Sequence, residues 1–378
     1  MLQILHPMKY STLIVCTLTF VLASCGGKNQ TKKEGDKDSL NTPTVKDTCR
    51  YDQEKHLANI KMLTFGGDNA EAYWSFDGTK FCFQRTAKED GIECDQIFMW
   101  NLADGDMRTT KPTLISEGEG RTTCSYFLPG DSLILYASTH KSGAECPPTP
   151  ERKKGAYYWP IYETMDIYVA NLKGEVVKQL TNKKGYDAEG TVSPKGDKIV
   201  FTSDRSGDLE LYTMNIDGSD VKQITDELGY DGGAFFSPDG TKIVYRASRP
   251  KADTAVAKYK DLLKQHLVEP SDMEIYVCNV DGSDKKQITN LGKANWAPFF
   301  HPSGNKIIFS SNHQSPKEFM FNLWMINLDG TGLEQITFDP VFDAFPMFSP
   351  DGKKILFSSN RNNGGTRSTN LFVADWVD

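Results

Sequence analysis

Several signatures of chemistry are missing from this chain. It has no C-x-x-C and no paired cysteine and histidine spacing of the kind that holds structural zinc. It has no G-x-S-x-G, the strand-to-helix elbow that presents a hydrolase serine. Basic residues are not in excess: the formal net charge is −7, which argues against a nucleic-acid partner. The one strongly apolar run near the start, Thr12–Leu22, is too short to span a bilayer as a stable helix. What remains is 378 residues, 38% apolar and 25% charged, enough to bury a large core in one or two domains.

The first 56 residues read as targeting and tether. Lys9 precedes the Thr12–Leu22 run, and Leu22-Ala23-Ser24-Cys25 follows it. That string resembles the lipobox of bacterial lipoproteins, which implies a signal over 1–24, cleavage before Cys25, and acylation of Cys25. Several acyl chains would anchor the protein stably, with the membrane as one partner. Residues 26–50 are polar, charged and nearly free of large apolar groups, so 25–56 is expected to be the lipidated cysteine and a flexible tether. No acidic cluster follows Cys25, which favours an outer-membrane protein facing the periplasm.

From there the chain repeats itself. SFDGTKFCF (75–83), SPKGDKIVF (193–201), SPDGTKIVY (237–245), HPSGNKIIF (301–309) and SPDGKKILF (349–357) each join a tight turn to an alternating strand. FLPGDSLILY (127–136) is a degenerate sixth copy. A second strand follows in each unit, as in MDIYVANL and MEIYVCNV, and four units then end in Q-(I/L)-T. The unit is four antiparallel strands, a to d, and six turn glycines (78, 130, 196, 240, 304 and 352) give six. Such units predict an all-β six-bladed propeller over 57–378, with insertions at 140–164 and 250–272. The last unit stops after its third strand, while "NIKMLTFGG" (59–67) holds a Q-I-T-like ending with no unit before it. The segment 59–65 is therefore expected to supply the missing strand d and close the ring.

The S-P-D-G-x-K-I-x-F and D-G-S-x-x-K-Q-I-T strings are similar to the WD-like repeats of the TolB-type propeller. The resemblance covers about residues 57–378 but lacks the N-terminal α/β domain that TolB carries. It speaks to fold far more than to function, because this repeat occurs both in binding proteins and as an accessory domain of enzymes. The serine hydrolase domain that follows similar propellers is not in this chain, and S-P-D-G matches the sialidase box only superficially.

Candidate site residues come from the top face, where d–a and b–c loops meet. Nine residues before the turn glycines stand Asn69, Arg121, Asp187, Asp231, Asn295 and Asp343; nine after stand Ala87, Thr139, Arg205, Arg249, His313 and Arg361. Hairpin geometry makes these cross-strand neighbours. Asp187 with Arg205, Asp231 with Arg249 and Asp343 with Arg361 are thus expected as structural pairs, against a ring gripping a cation or basic peptide. Arg121 lacks such a partner, and Glu71 and Glu189 lie two residues further along their loops. Trp296, beside Asn295 and opposite His313, either fills the funnel or offers a stacking platform. The first insertion carries a Pro-rich basic stretch, then Tyr157, Tyr158, Trp159 and Tyr162, which either bind at the channel mouth or pack on a neighbouring blade. Cys146 within it and Cys94 could meet as a disulfide, whereas Cys82, Cys124 and Cys278 read as small core residues. The second insertion shows helical spacing over 253–268, a cap with Lys258, Lys260 and Lys264 outward.

The expected ligand-binding set is Arg121, Tyr158, Trp159, Glu189, Asn295, Trp296 and His313. The ligand is a protein or glycan of the envelope, bound by a monomer with no cofactor and no nucleic acid. The alternative is a glycan-active enzyme using Glu71, Glu189, Arg121 and His313. In that reading a divalent cation in the channel, held by His140, His266 and His313, stays open.

Overall fold

Strand b of each repeat is apolar on both faces, as in Ile199–Phe201 and Ile355–Phe357, so each sheet needs a neighbour on either side. In the computed structural model, which describes residues 49–149 and 157–378, six four-stranded antiparallel sheets supply those neighbours around a central channel. Strand a begins each blade at Asp68–Trp74, Thr122–Phe127, Asp187–Val192, Asp231–Phe236, Asn295–Phe300 and Asp343–Phe348. Apolar layers fill the space between blades. One example joins Cys82, Ile97, Phe127, Ile134, Tyr136 and Tyr168 of blades 1 and 2.

The ring closes as the repeat predicts. In blade 6 the sheet order places Leu57–Met62 beside Asn370–Trp376, with Leu57 opposite Trp376 and Met62 opposite Phe372. The paired strand starts and ends slightly earlier than 59–65. Beyond it, Thr64 accepts the Leu371 amide at 2.8 Å. This is the same bond that Thr181, Thr225, Thr289 and Thr337 make to Ile167, Leu211, Ile275 and Leu323. Ser116 does it for Ile97 in blade 1. A strand-d hydroxyl thus satisfies a buried strand-c amide in every blade, from Thr in five blades and Ser116 in blade 1, and "MLT" supplies it for blade 6.

Within residues 49–56, assigned to the tether by composition, Glu54 is instead anchored in the fold although most of its neighbours are exposed. Glu54 is fully buried and meets the Arg361 guanidinium at 3.0 Å, alongside Asp343 at 2.8 Å and Asp339 at 3.7 Å. Cys49 contacts Asn362 in the top b–c loop of blade 6, and His56 reaches Glu334 at the far end of strand d of blade 5. The segment therefore runs down the outside of the seam between blades 5 and 6 before turning up as the closing strand. Cys25 lies outside the described residues. Among those described, no helix is long and apolar enough to cross a membrane, which says nothing of strands.

The two insertions join each other. The helix Asp253–Lys264 buries Tyr259, which bonds Asp208, and leaves Lys258, Lys260 and Lys264 exposed. Past it, Leu267 and Val268 pair with Pro160 and Trp159 of the blade 2 insertion, forming a bridge over blade 3.

If Thr64 closes the ring as its counterparts close their blades, Thr64→Val should destabilise by about 1–3 kcal/mol, because the Leu371 amide would lose its partner. Urea unfolding would show it, with Thr225→Val as the internal standard. A neutral Thr64→Val beside a costly Thr225→Val would contradict the closure.

Candidate functional site

Each strand a is interrupted by a bulge, and the register shifts at the same place in all six blades. The bulged residue has positive φ: Glu71 (52°), Cys124 (51°), Glu189 (58°), Gly233 (59°), Ala297 (46°) and Phe345 (55°). These six residues line one hollow of about 40 Å³, the neck of the channel. Cys124 is therefore a neck residue and not the core residue its strand-like run implies, whereas Cys82 and Cys278 are buried.

Below the neck, aromatic rings close the channel. Tyr73 of blade 1 lies 6.0 Å from Phe235 of blade 4, across the ring. Tyr126 stands 5.7 Å from Tyr73, and Phe299 5.1 Å from Phe235. Above the neck opens a funnel of about 1000 Å³, at the upper end for small-molecule sites. It is a blind pocket entered from the top face.

The funnel walls differ in character. One side carries Tyr157, Trp159, Trp296, Phe319, Phe321 and Phe342. Trp159 lies 5.4 Å from Trp296 and 5.9 Å from Tyr230, over the Arg246 guanidinium at 4.7 Å. The opposite side carries Gln84, Asp95, Arg121, Thr123 and Arg367. In all, five carboxylates (Asp68, Glu71, Asp95, Glu189 and Glu318) line the funnel against three guanidiniums (Arg121, Arg246 and Arg367).

The two neck carboxylates have different surroundings. Glu189 accepts from Arg246 Nη2 at 2.5 Å, Thr202 Oγ1 at 2.7 Å, the Tyr230 hydroxyl at 2.7 Å and the Gly233 amide at 2.9 Å. Among the described residues Glu71 accepts only from the Tyr73 hydroxyl at 2.9 Å and the Cys124 thiol at 3.3 Å. Burial pushes the Glu71 pKa up, and the Glu189 charge adds to that. Burial likewise raises the Cys124 thiol, helped by the Glu71 charge, so it stays a neutral thiol.

Of the residues expected to bind ligand, Arg121, Trp159, Glu189 and Trp296 line the funnel, but not all are available. Arg121 does have a partner: its Nη1 pairs with Asp95 of blade 1. Trp296 is mostly buried, stacked on Phe321 at 4.3 Å, with Nε1 donating to the Pro270 carbonyl. Tyr158 is half-buried and does not line the funnel. Asn295 is fully buried and donates to the Met273 carbonyl, so it cannot meet a ligand. His313 meets Trp324 edge-on at 4.3 Å, outside the funnel, and reaches Asn295 through Ser311.

The three Asp–Arg pairs sit at this same position in their blades. Arg205 meets Asp187 at 2.8 Å, Arg249 meets Asp231 at 2.5 Å, and Arg361 meets Asp343 at 2.8 Å. Blade 2 departs from the spacing by one residue. Asp131 (φ 53°), not Gly130, takes the place of the turn glycine, because strand a ends at Phe127. The counterparts there are Thr122 and His140, bridged by Ser138 as Asn295 and His313 are by Ser311. His140 packs at a tilt on Tyr168 at 4.3 Å and pairs with Glu117. His266 faces Glu163, so the three histidines do not converge. Among the described residues no group of three or more His, Cys, Asp or Glu could hold a metal ion.

Cys94 and Cys146 form a disulfide that ties the first insertion to blade 1. The basic stretch of that insertion lies partly in residues 150–156, outside the described residues.

The TolB beta propeller domain model matches residues 149–268 and 267–368, more than half the chain. The chain belongs to the TolB β-propeller family. Among solved structures, this TolB-family propeller is similar to a putative TolB from Agrobacterium tumefaciens, at 19% identity and a TM-score of 0.53, over 82% of this chain and 91% of that one. It is also similar to an oligogalacturonate lyase from Vibrio parahaemolyticus, at 14% identity and a TM-score of 0.50, over 84% and 93%. At such identities the likeness is one of fold. No curated protein matches the chain in sequence.

Sequence reasoning missed Arg246, which organises the neck of this TolB-family member. The legible signal was its place in strand b, where the other blades carry Gln84, Ala137, Thr202, Ser310 and Ser358. A second signal was the Gly232-Gly233 pair opposite. A Cβ on Gly233 would lie 2.7 Å from Arg246 Nη1, and one on Gly232 would lie 2.3 Å from Glu189 Oε2. Arg246→Met should destabilise by about 3–5 kcal/mol, since Glu189 would stay buried without its cation, and adding Glu189→Gln should recover most of that loss. Equal cost in the single and double variants, by urea unfolding, would contradict the pairing.

Proposed function

We propose that this chain is a lipid-anchored, non-catalytic binding protein of the bacterial cell envelope. It is held at the outer membrane through Cys25, faces the periplasm, and takes part of a protein or glycan into the top funnel. The anchor rests on the Leu-Ala-Ser-Cys string, and the envelope setting on that string together with the family. The binding role rests on the blind funnel, with an aromatic wall facing a polar one.

The observation that favours binding over catalysis is the state of the groups an enzyme would use. Glu189 is already engaged by the Arg246 guanidinium, Thr202, Tyr230 and the Gly233 amide, which hold it as part of the neck. Arg121 is held by Asp95, and His313 lies outside the funnel. Of the four residues in the enzymatic reading, Glu71 alone faces the funnel with neither a protein cation nor a full set of donors.

Crosslinking in intact envelopes, followed by affinity capture of the full chain, tests the funnel as the site. Trp159→Ala should lower the yield of the captured partner several-fold, because Trp159 forms funnel wall while its backbone pairing to Val268 is kept. Undiminished capture would contradict the proposed site. Trp296→Ala is a poorer probe, since its ring supports Phe321 beneath the wall.

A further inference from the structure

The floor of the funnel holds a buried carboxyl group that has no ion-pair partner among the described residues. Glu71 is directed into the neck by its bulge, and its two protein donors, Tyr73 and Cys124, are both neutral. The other ionisable groups facing it are Glu189 from blade 3 and Arg246 from blade 4. Blades 5 and 6 offer only Ala297 and Phe345 there. Arg246 is already bonded to Glu189 at 2.5 Å, so it reaches Glu71 only through space and not as an ion-pair partner. Among the described residues no Lys or Arg forms an ion pair with Glu71.

Resting on the reading of the funnel as a binding site, we infer that it receives a lysine or arginine side chain of a partner protein, whose cation meets Glu71 at the neck. Two further features fit that chemistry. The lining carries more carboxylates than guanidiniums, so the mouth attracts positive charge. The funnel wall carries Trp159 and Tyr157, and aromatic rings attract alkylammonium and guanidinium groups. An anionic end would instead bring a second negative charge to a buried carboxylate, and a neutral sugar would leave Glu71 as it is. Partner binding would then draw Glu71 into its charged form. Because burial raises its pKa in the empty funnel, cation binding strengthens as pH rises through that raised value and weakens below it.

The test uses the full chain and three small probes: N-acetyl-lysine methylamide, N-acetyl-glutamate methylamide and methyl glucoside. Binding is followed by tryptophan fluorescence and by NMR line shifts. The lysine probe should bind saturably and at least tenfold more tightly than the glutamate probe, and more tightly at pH 8 than at pH 5. Glu71→Gln should weaken it about tenfold and abolish that pH slope, while leaving the urea midpoint unchanged or higher. No saturable binding of the lysine probe, or lysine binding indifferent to Glu71→Gln, overturns the inference. Glucoside binding that depends on Trp159 but not on Glu71 overturns it too, yet leaves the funnel as the binding site. If Trp159→Ala affects neither probe binding nor partner capture, the funnel reading falls with it.

Discussion

In every blade the innermost strand must narrow toward the channel axis while its outer neighbours fan apart, and the backbone meets this with one residue turned into the left-handed region. Five of the six residues there are not glycine, and each costs on the order of 1 kcal/mol or more in an L-residue. The bulge re-aims that side chain from the blade interface into the channel. Glu71, Cys124, Glu189, Ala297 and Phe345 are at the neck for this reason, and Gly233 is where the missing side chain leaves room for Arg246. The aromatic plug follows two residues later in the same strands, at Tyr73, Tyr126, Phe235 and Phe299. One backbone constraint, repeated six times, thus makes both the floor of the funnel and the seal beneath it.

That arrangement persists only if the ring is closed. Leu57–Met62 covers the edge of blade 6, and the buried cluster of Glu54, Asp339, Asp343 and Arg361 locks the approach to it. Three carboxylates around one guanidinium is a lopsided pairing, and burial raises the Asp339 pKa accordingly. The closing segment is therefore held by a charged cluster as well as by strand pairing, which sets the blade 5–6 seam apart from the others.

Much of the fold was legible because the repeat writes each element out several times. Strand order, the closing strand and the Asp–Arg pairs all follow from fixed offsets around a turn glycine. The offsets failed where the turn did. Blade 2 carries Leu-Pro-Gly-Asp, and Asp131 rather than Gly130 takes the position of the turn glycine, so counting from the glycine picked Arg121 and Thr139 in place of Thr122 and His140. The site was less legible for a related reason. A position at the end of a strand can face the channel or the neighbouring blade, and the one-letter pattern does not distinguish them. Asn295 and His313 look exposed by spacing but face the blade seam, while Cys124 looks like core and faces the neck. The role of Arg246 emerges only when strand b is set against the Gly232-Gly233 gap of strand a.

The funnel's character depends on a carboxyl group at its floor that forms no ion pair among the described residues. Its titration can be followed directly, by carbon-13 NMR of Glu71 side-chain labelled protein, with Glu71→Gln to assign the signal. The midpoint should lie above the ordinary carboxylate range in the empty protein and move down when N-acetyl-lysine methylamide is added. An ordinary midpoint in the empty protein, or one that does not move with the probe, would contradict it.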